Sequence, residues 1–76
     1  MKLHTGGYLT FFLPGRSSPL ELRVAAPVAL HELLTQAGIP LGEVAVAVLN
    51  GAMVELYSAQ VCDTDEVRVL SAVDGG

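Results

Sequence analysis

The last three residues, Asp74-Gly75-Gly76, follow directly on an alternating apolar run, "EVRVLSAV". Two glycines in this place have two readings. Domain ends are often frayed and small, and the pair then has no task. The alternative is chemical. Glycine has no Cβ, so Gly75 and Gly76 fit a channel too narrow for any side chain and take positive φ without steric cost. Another protein's active site then reaches the carboxylate of Gly76. A carboxylate is a poor electrophile, but transfer of AMP makes an acyl-adenylate with a good leaving group. A sulfur nucleophile displaces AMP and leaves a thiocarboxylate, –COSH, which delivers sulfur. The expected organisation is a folded domain over residues 1–73 and a flexible tail over 74–76.

Other reactive side chains are sparse. Cys62 is the single cysteine, and no His or Lys adjoins it to lower its pKa. It reads as a small, partly buried apolar residue near a turn. His4 and His31 are far apart in sequence with no evident third ligand, so no metal site is expected, and His31 reads as an edge or solvent-facing helix residue. Asp63, Asp65 and Glu66 lack the length and the later bidentate glutamate of a calcium loop and read as a solvated turn. There is no serine–histidine–acid set and no glycine-rich phosphate loop before a helix. No resident cofactor is expected. On the chemical reading of the two glycines, the reactive atom is expected at the chain's own end and the catalysts among its partners.

Composition narrows the classes further. A chain of 76 residues is one domain, and at this size only about 60% of the unfolded surface is buried. One cysteine excludes an internal disulfide and the usual structural zinc site. A dense core must do the work, and 51% hydrophobic residues supply it. Four basic residues, Lys2, Arg16, Arg23 and Arg68, are too dispersed to follow a phosphate backbone, which argues against nucleic acid. The net charge of −4 suits a basic partner surface. No apolar stretch approaches the roughly 20 residues that span a bilayer. The absence of a basic-then-apolar leader, with the unpaired cysteine, points to the cytoplasm.

The elements that must position the tail are legible from periodicity. Leu3 to Leu13 reads as a strand with Leu9, Phe11 and Leu13 on one face; Gly6 and Gly7 mark a bulge or irregular start. "PGRSSP", Pro14 to Pro19, turns the chain into "LELRV", where Leu20, Leu22 and Val24 point inward, making an antiparallel hairpin. Pro27 opens a helical unit in which Leu30, Leu33, Leu34 and Ala37 share a face, and Gly38 and Pro40 end it. "EVAVAVLNG" is a strand running into an Asn50-Gly51 tight turn, with "AMVEL" as the return. Val61 to Asp65 reads as loop and "EVRVL" as the final strand. One helix cannot cover both faces of a sheet, so one face is left to solvent or a partner. Phe12, Leu70 and Ala72 are the apolar residues expected on that uncovered face.

The chain resembles the MoaD/ThiS family of ubiquitin-like sulfur carriers. The residues that carry the likeness are Asn50-Gly51 after an apolar strand, Asp63-Thr64-Asp65-Glu66-Val67 leading into the last strand, and the terminal Gly75-Gly76. Thr64 stands where the family usually has glycine. The resemblance implies an α+β, β-grasp fold: a mixed four- to five-stranded sheet with one main helix packed on one face, and the first and last strands central. It also implies that a ubiquitin-activating-type enzyme binds the exposed sheet face and adenylates Gly76 with ATP, and that a sulfurtransferase supplies sulfur. The acceptor it implies is the large subunit of molybdopterin synthase or thiazole synthase, with the chain as synthase small subunit in the first case. Partner contacts are expected at Phe12, Leu70, Ala72, Val73 and Asp74. "GIPLGEV" followed by "VLNG" favours the molybdopterin branch, whereas the approach Ser71-Ala72-Val73-Asp74 lacks that branch's prolines. A second reading stays open: a ubiquitin-like interaction module whose end is never activated.

Overall fold

Alternation in "EVRVL" builds the centre of the molecule. The computed structural model describes residues 1–16 and 18–71, Arg16 by its backbone alone. Strand β7, Glu66–Leu70, buries Val67 and Val69 completely and leaves Glu66, Arg68 and Leu70 exposed. It lies parallel to β1, Lys2–Thr5, in the register Leu3 opposite Val67 and His4 opposite Arg68. On its other side it runs antiparallel to β4, Val46–Leu49, with Ala47 opposite Val69 and Val46 opposite Leu70. Strands β2, Leu20–Glu21, and β5, Ala52–Val54, form the edges, so the mixed sheet has the order β2-β1-β7-β4-β5. The first and last strands are thus central, as the resemblance implies.

The helix α1, Leu30–Gln36, packs on one face of this sheet. Leu30, Leu33 and Leu34 join Leu3, Val67, Val69, Ala47, Leu9, Leu13, Ile39 and Val61 in a single buried cluster. Each fully buried leucine contributes about 1.5–3 kcal/mol of transfer free energy. The helix end follows from Gly38, whose φ of 92° only glycine adopts cheaply. Its N–H donates to the Thr35 carbonyl at 3.1 Å, and Ile39 N–H donates to the Leu34 carbonyl at 2.9 Å. This paired bonding, with Ile39 buried beyond it, is a Schellman termination.

Several expectations fail for identifiable reasons. The first strand stops at Thr5, and Gly7–Phe12 coils into a 3₁₀ segment. Leu9 and Leu13 are buried as expected, but Phe11 is 64% exposed. Leu9 is buried from within the 3₁₀ segment and Leu13 from the extended residue after it, as a strand would also bury them, so only Phe11 distinguishes the two conformations. The helix begins at Leu30 instead of Pro27, because Val28–Ala29 are taken up as strand β3. Strand β3 pairs with β6, Gln60–Val61, in a second, two-stranded sheet. Val61, read as loop, is therefore fully buried opposite Val28. Among the described residues no helix is long and apolar enough to cross a membrane.

Candidate functional site

The tail leaves from the end of β7. Leu70 is 36% exposed, its carbonyl accepts from Ala45 N–H at 2.8 Å, and Ser71 beyond it is buried. Ala72, Val73, Asp74, Gly75 and Gly76 lie outside the described residues. Five links separate Ser71 from Gly76, so the terminal carbonyl lies within about 20 Å of the Ser71 backbone even at full extension. Any partner that acts on Gly76 must rest its surface near this corner.

Pleating fixes which side chains surround the corner. Leu70, Arg68, Val46, Val48 and Met53 belong to the sheet face opposite α1, because they pair across the strands with one another and alternate with the buried Val69, Val67 and Ala47 and the half-buried Val54. The face divides into two halves. Leu70, Val46, Val48 and the 76%-exposed Met53 form an apolar strip over β7, β4 and β5. Lys2, His4, Glu66 and Arg68 form a polar strip over β1 and β7, where His4 Nε2 and Glu66 Oε2 are 2.8 Å apart. Exposed apolar surface rimmed by polar groups is the usual mark of a docking site.

Leu70 stands where the alternation places it. Phe12 does not lie in a strand: it closes the 3₁₀ segment and meets the Tyr8 ring edge-on, with centroids 6.2 Å apart. The Tyr8 hydroxyl donates to the Glu43 carboxylate, tying the segment to the 3₁₀ turn Leu41–Glu43. Phe11, the more exposed of the two phenylalanines, was hidden by the strand reading. Gly6 links this segment to the corner: its N–H donates to the Val69 carbonyl at 3.0 Å, beside Leu70.

The acidic turn is more constrained than its solvated reading suggests. Asn50 and Gly51, both at positive φ, make the two-residue turn between β4 and β5. The Asn50 amide then reaches across to the start of β7, donating to Asp65 Oδ1 at 2.9 Å and accepting from Glu66 N–H at 2.9 Å. The Asn50 bond, with Cys62 N–H donating to Oδ2 at 2.7 Å, holds the Asp65 carboxyl below its ordinary value of 3.8. Asp63 is lowered too, chiefly by Val24 N–H at 2.8 Å and further by the Met1 ammonium and Arg23. Both acids serve as acceptors that fold the loop. The groove lined by Lys2, Glu21, Arg23, Asp63, Asp65 and Glu66 sits at the start of β7, at the other end of the strand from Leu70.

The remaining candidates separate in space. Cys62 is exposed, where the sequence suggested partial burial; it follows Val61 out of β6 to the surface. His31 is half-buried against the Tyr57 ring at 5.2 Å, and its buried Nδ1 has no hydrogen-bond partner. His4 instead pairs with Glu66, so the two histidines serve different surfaces. Among the described residues no three His, Cys, Asp or Glu side chains cluster as a metal site.

A family profile, described as the ThiS family, matches residues 13–76. The chain belongs to the ThiS family. Comparison with curated proteins and with solved structures returned no match. ThiS-family proteins are β-grasp sulfur carriers that work with activating enzymes and sulfur-using partners, and the five-stranded mixed sheet with its single main helix is that fold. The match begins at Leu13, so β1 and the Gly7–Phe12 segment lie outside it.

Proposed function

We propose that this ThiS-family chain carries sulfur on the C-terminal carboxylate of Gly76. The observation that supports this most is family membership over a span that ends in Gly75-Gly76. In the first step a ubiquitin-activating-type enzyme joins the Gly76 carboxylate to the α-phosphate of ATP, and pyrophosphate leaves. In the second, a sulfur nucleophile from a sulfurtransferase attacks the acyl carbon and AMP leaves. With hydrosulfide as nucleophile the product is the thiocarboxylate directly. The folded body is the handle. Its uncovered sheet face, with Leu70 at the tail's root, is the docking surface, and Phe12, Ala72, Val73 and Asp74 are its proposed neighbours in contact.

The sulfur goes to an acceptor in cofactor biosynthesis. The molybdopterin-type branch is the first reading, on "GIPLGEV" followed by "VLNG", and the chain then acts as the small subunit of a synthase. A thiazole acceptor is the second reading, favoured by the proline-free approach Ser71-Ala72-Val73-Asp74. Incubation with ATP, the cognate activating enzyme and sulfide tests the carrier reading: replacing one oxygen by sulfur adds about 16 Da to the intact chain. Separate addition of the two acceptor enzymes distinguishes the branches by which one returns the mass to its starting value. An interaction module gains no sulfur under any of these conditions.

A further inference from the structure

Gly6 occupies a place where backbone geometry does not ask for glycine. Its φ of −104° and ψ of 148° are ordinary extended values open to any residue. What singles it out is space. A Cβ built on Gly6 falls 2.4 Å from Leu70 Cδ2, well inside contact distance, while Leu70 Cγ and the Val69 carbonyl oxygen are both 3.8 Å away. The Leu70 side chain thus uses the room left by the missing Cβ. Gly6 N–H also donates to the Val69 carbonyl at 3.0 Å, which fixes the two strands at this spacing. On its other side Leu70 is opposite Val46 of β4, and its carbonyl accepts from Ala45. The last outward residue of β7 before the tail is therefore cradled between β4 and the end of β1.

We propose that Gly6 is a positioning residue: by lacking a side chain it seats Leu70 in one orientation at the tail's root and so sets how the activating enzyme docks. The proposal rests on the carrier reading and deepens it. The colliding atom is the far end of a flexible side chain, so Gly6→Ala moves Leu70 without moving backbone. The substitution also reduces the freedom of the unfolded chain, which offsets the cost of that rearrangement. Stability and docking should therefore separate.

The test uses Gly6→Ala, Leu70→Ala and the double variant, assayed with the cognate ATP-dependent activating enzyme and sulfide. Gly6→Ala is expected to keep the melting temperature within a few degrees and to shift the Leu70 methyl resonances. Its KM for activation rises about tenfold with kcat unchanged, the effect of misplacing one apolar anchor. Leu70→Ala raises KM to a similar degree. The double variant, in which the collision is gone, shows the KM of Leu70→Ala alone, because Gly6 acts only through Leu70. Unmoved methyl resonances in Gly6→Ala, an unchanged KM, or single effects that multiply in the double variant each overturn the proposal. An unaltered chain that gains no sulfur overturns the carrier reading, and this proposal with it. An unaltered chain that gains sulfur while Gly6→Ala keeps its KM overturns the proposal alone.

Discussion

Along β7 successive residues enter two environments. Val67 and Val69 lie under α1 with no exposed surface, while Arg68 and Leu70 look away from the helix. The covered face is closed by leucines from one short helix and by Leu9 and Leu13 from the 3₁₀ segment and the residue that follows it. The outward face of the same strands keeps Leu70, Val46, Val48 and Met53 at least partly in water. Among the described residues one α-helix shields the sheet, so one face holds the fold and the other remains open to contact. Mutations should therefore separate by face, with stability lost on one side and partner affinity on the other.

The sharpest way to break this division is Leu34→Ala. Leu34 is fully buried, and the truncation should cost about 2–5 kcal/mol through lost transfer energy and a residual cavity. That is a large share of the roughly 5–15 kcal/mol typical of a whole domain, so a urea midpoint that hardly moves contradicts the assigned core. Next in size is Asn50→Ala. It removes two side-chain hydrogen bonds to the start of β7 and places alanine at φ 51°, for about 1–3 kcal/mol, read from the same urea curve. Leu70→Ala lies on the other side of the division. Its effect on stability should stay within about 0.5–1 kcal/mol, while binding to the activating enzyme weakens about tenfold, measured by calorimetry. Equal losses in both would dissolve the distinction between the faces.

The smallest effect is the pH dependence of the acidic turn. Asp63 and Asp65 have folded pKa values below the ordinary 3.8, so near pH 4 the unfolded chain binds more protons than the native one. Their contribution is present above the unfolded value and is lost as pH falls through the lowered one. Urea midpoints measured from about pH 5 downward should fall, and Asp65→Asn should flatten part of that fall. An unaltered slope in Asp65→Asn would remove Asp65 from the account.

The residues that announced themselves in sequence did so through short-range chemistry. "EVRVL" alternates cleanly, Asn50-Gly51 satisfies the positive φ of a two-residue turn, and Gly38 supplies the left-handed helix end. Leu70 followed from that alternation, and with it the uncovered face. What stayed hidden had no period of its own. Strands of two residues, such as Val28–Ala29 and Gln60–Val61, are defined only by each other. The 3₁₀ segment was masked by the alternation of Leu9, Phe11 and Leu13, which reads as one face of a strand, and Phe11 was misplaced with it. The seat that Gly6 offers Leu70 joins residues 64 positions apart in the chain, a proximity that only the parallel pairing of β1 with β7 creates.

The intact mass of the native chain, before and after reaction with ATP, the activating enzyme and sulfide, tests the central claim most directly. The account predicts that the polypeptide ends at Gly76, that it gains about 16 Da, and that removal of Gly76 abolishes the gain while leaving the melting temperature unchanged. A native chain that runs on past Gly76, or a mass that does not change with an enzyme competent to adenylate it, contradicts the account.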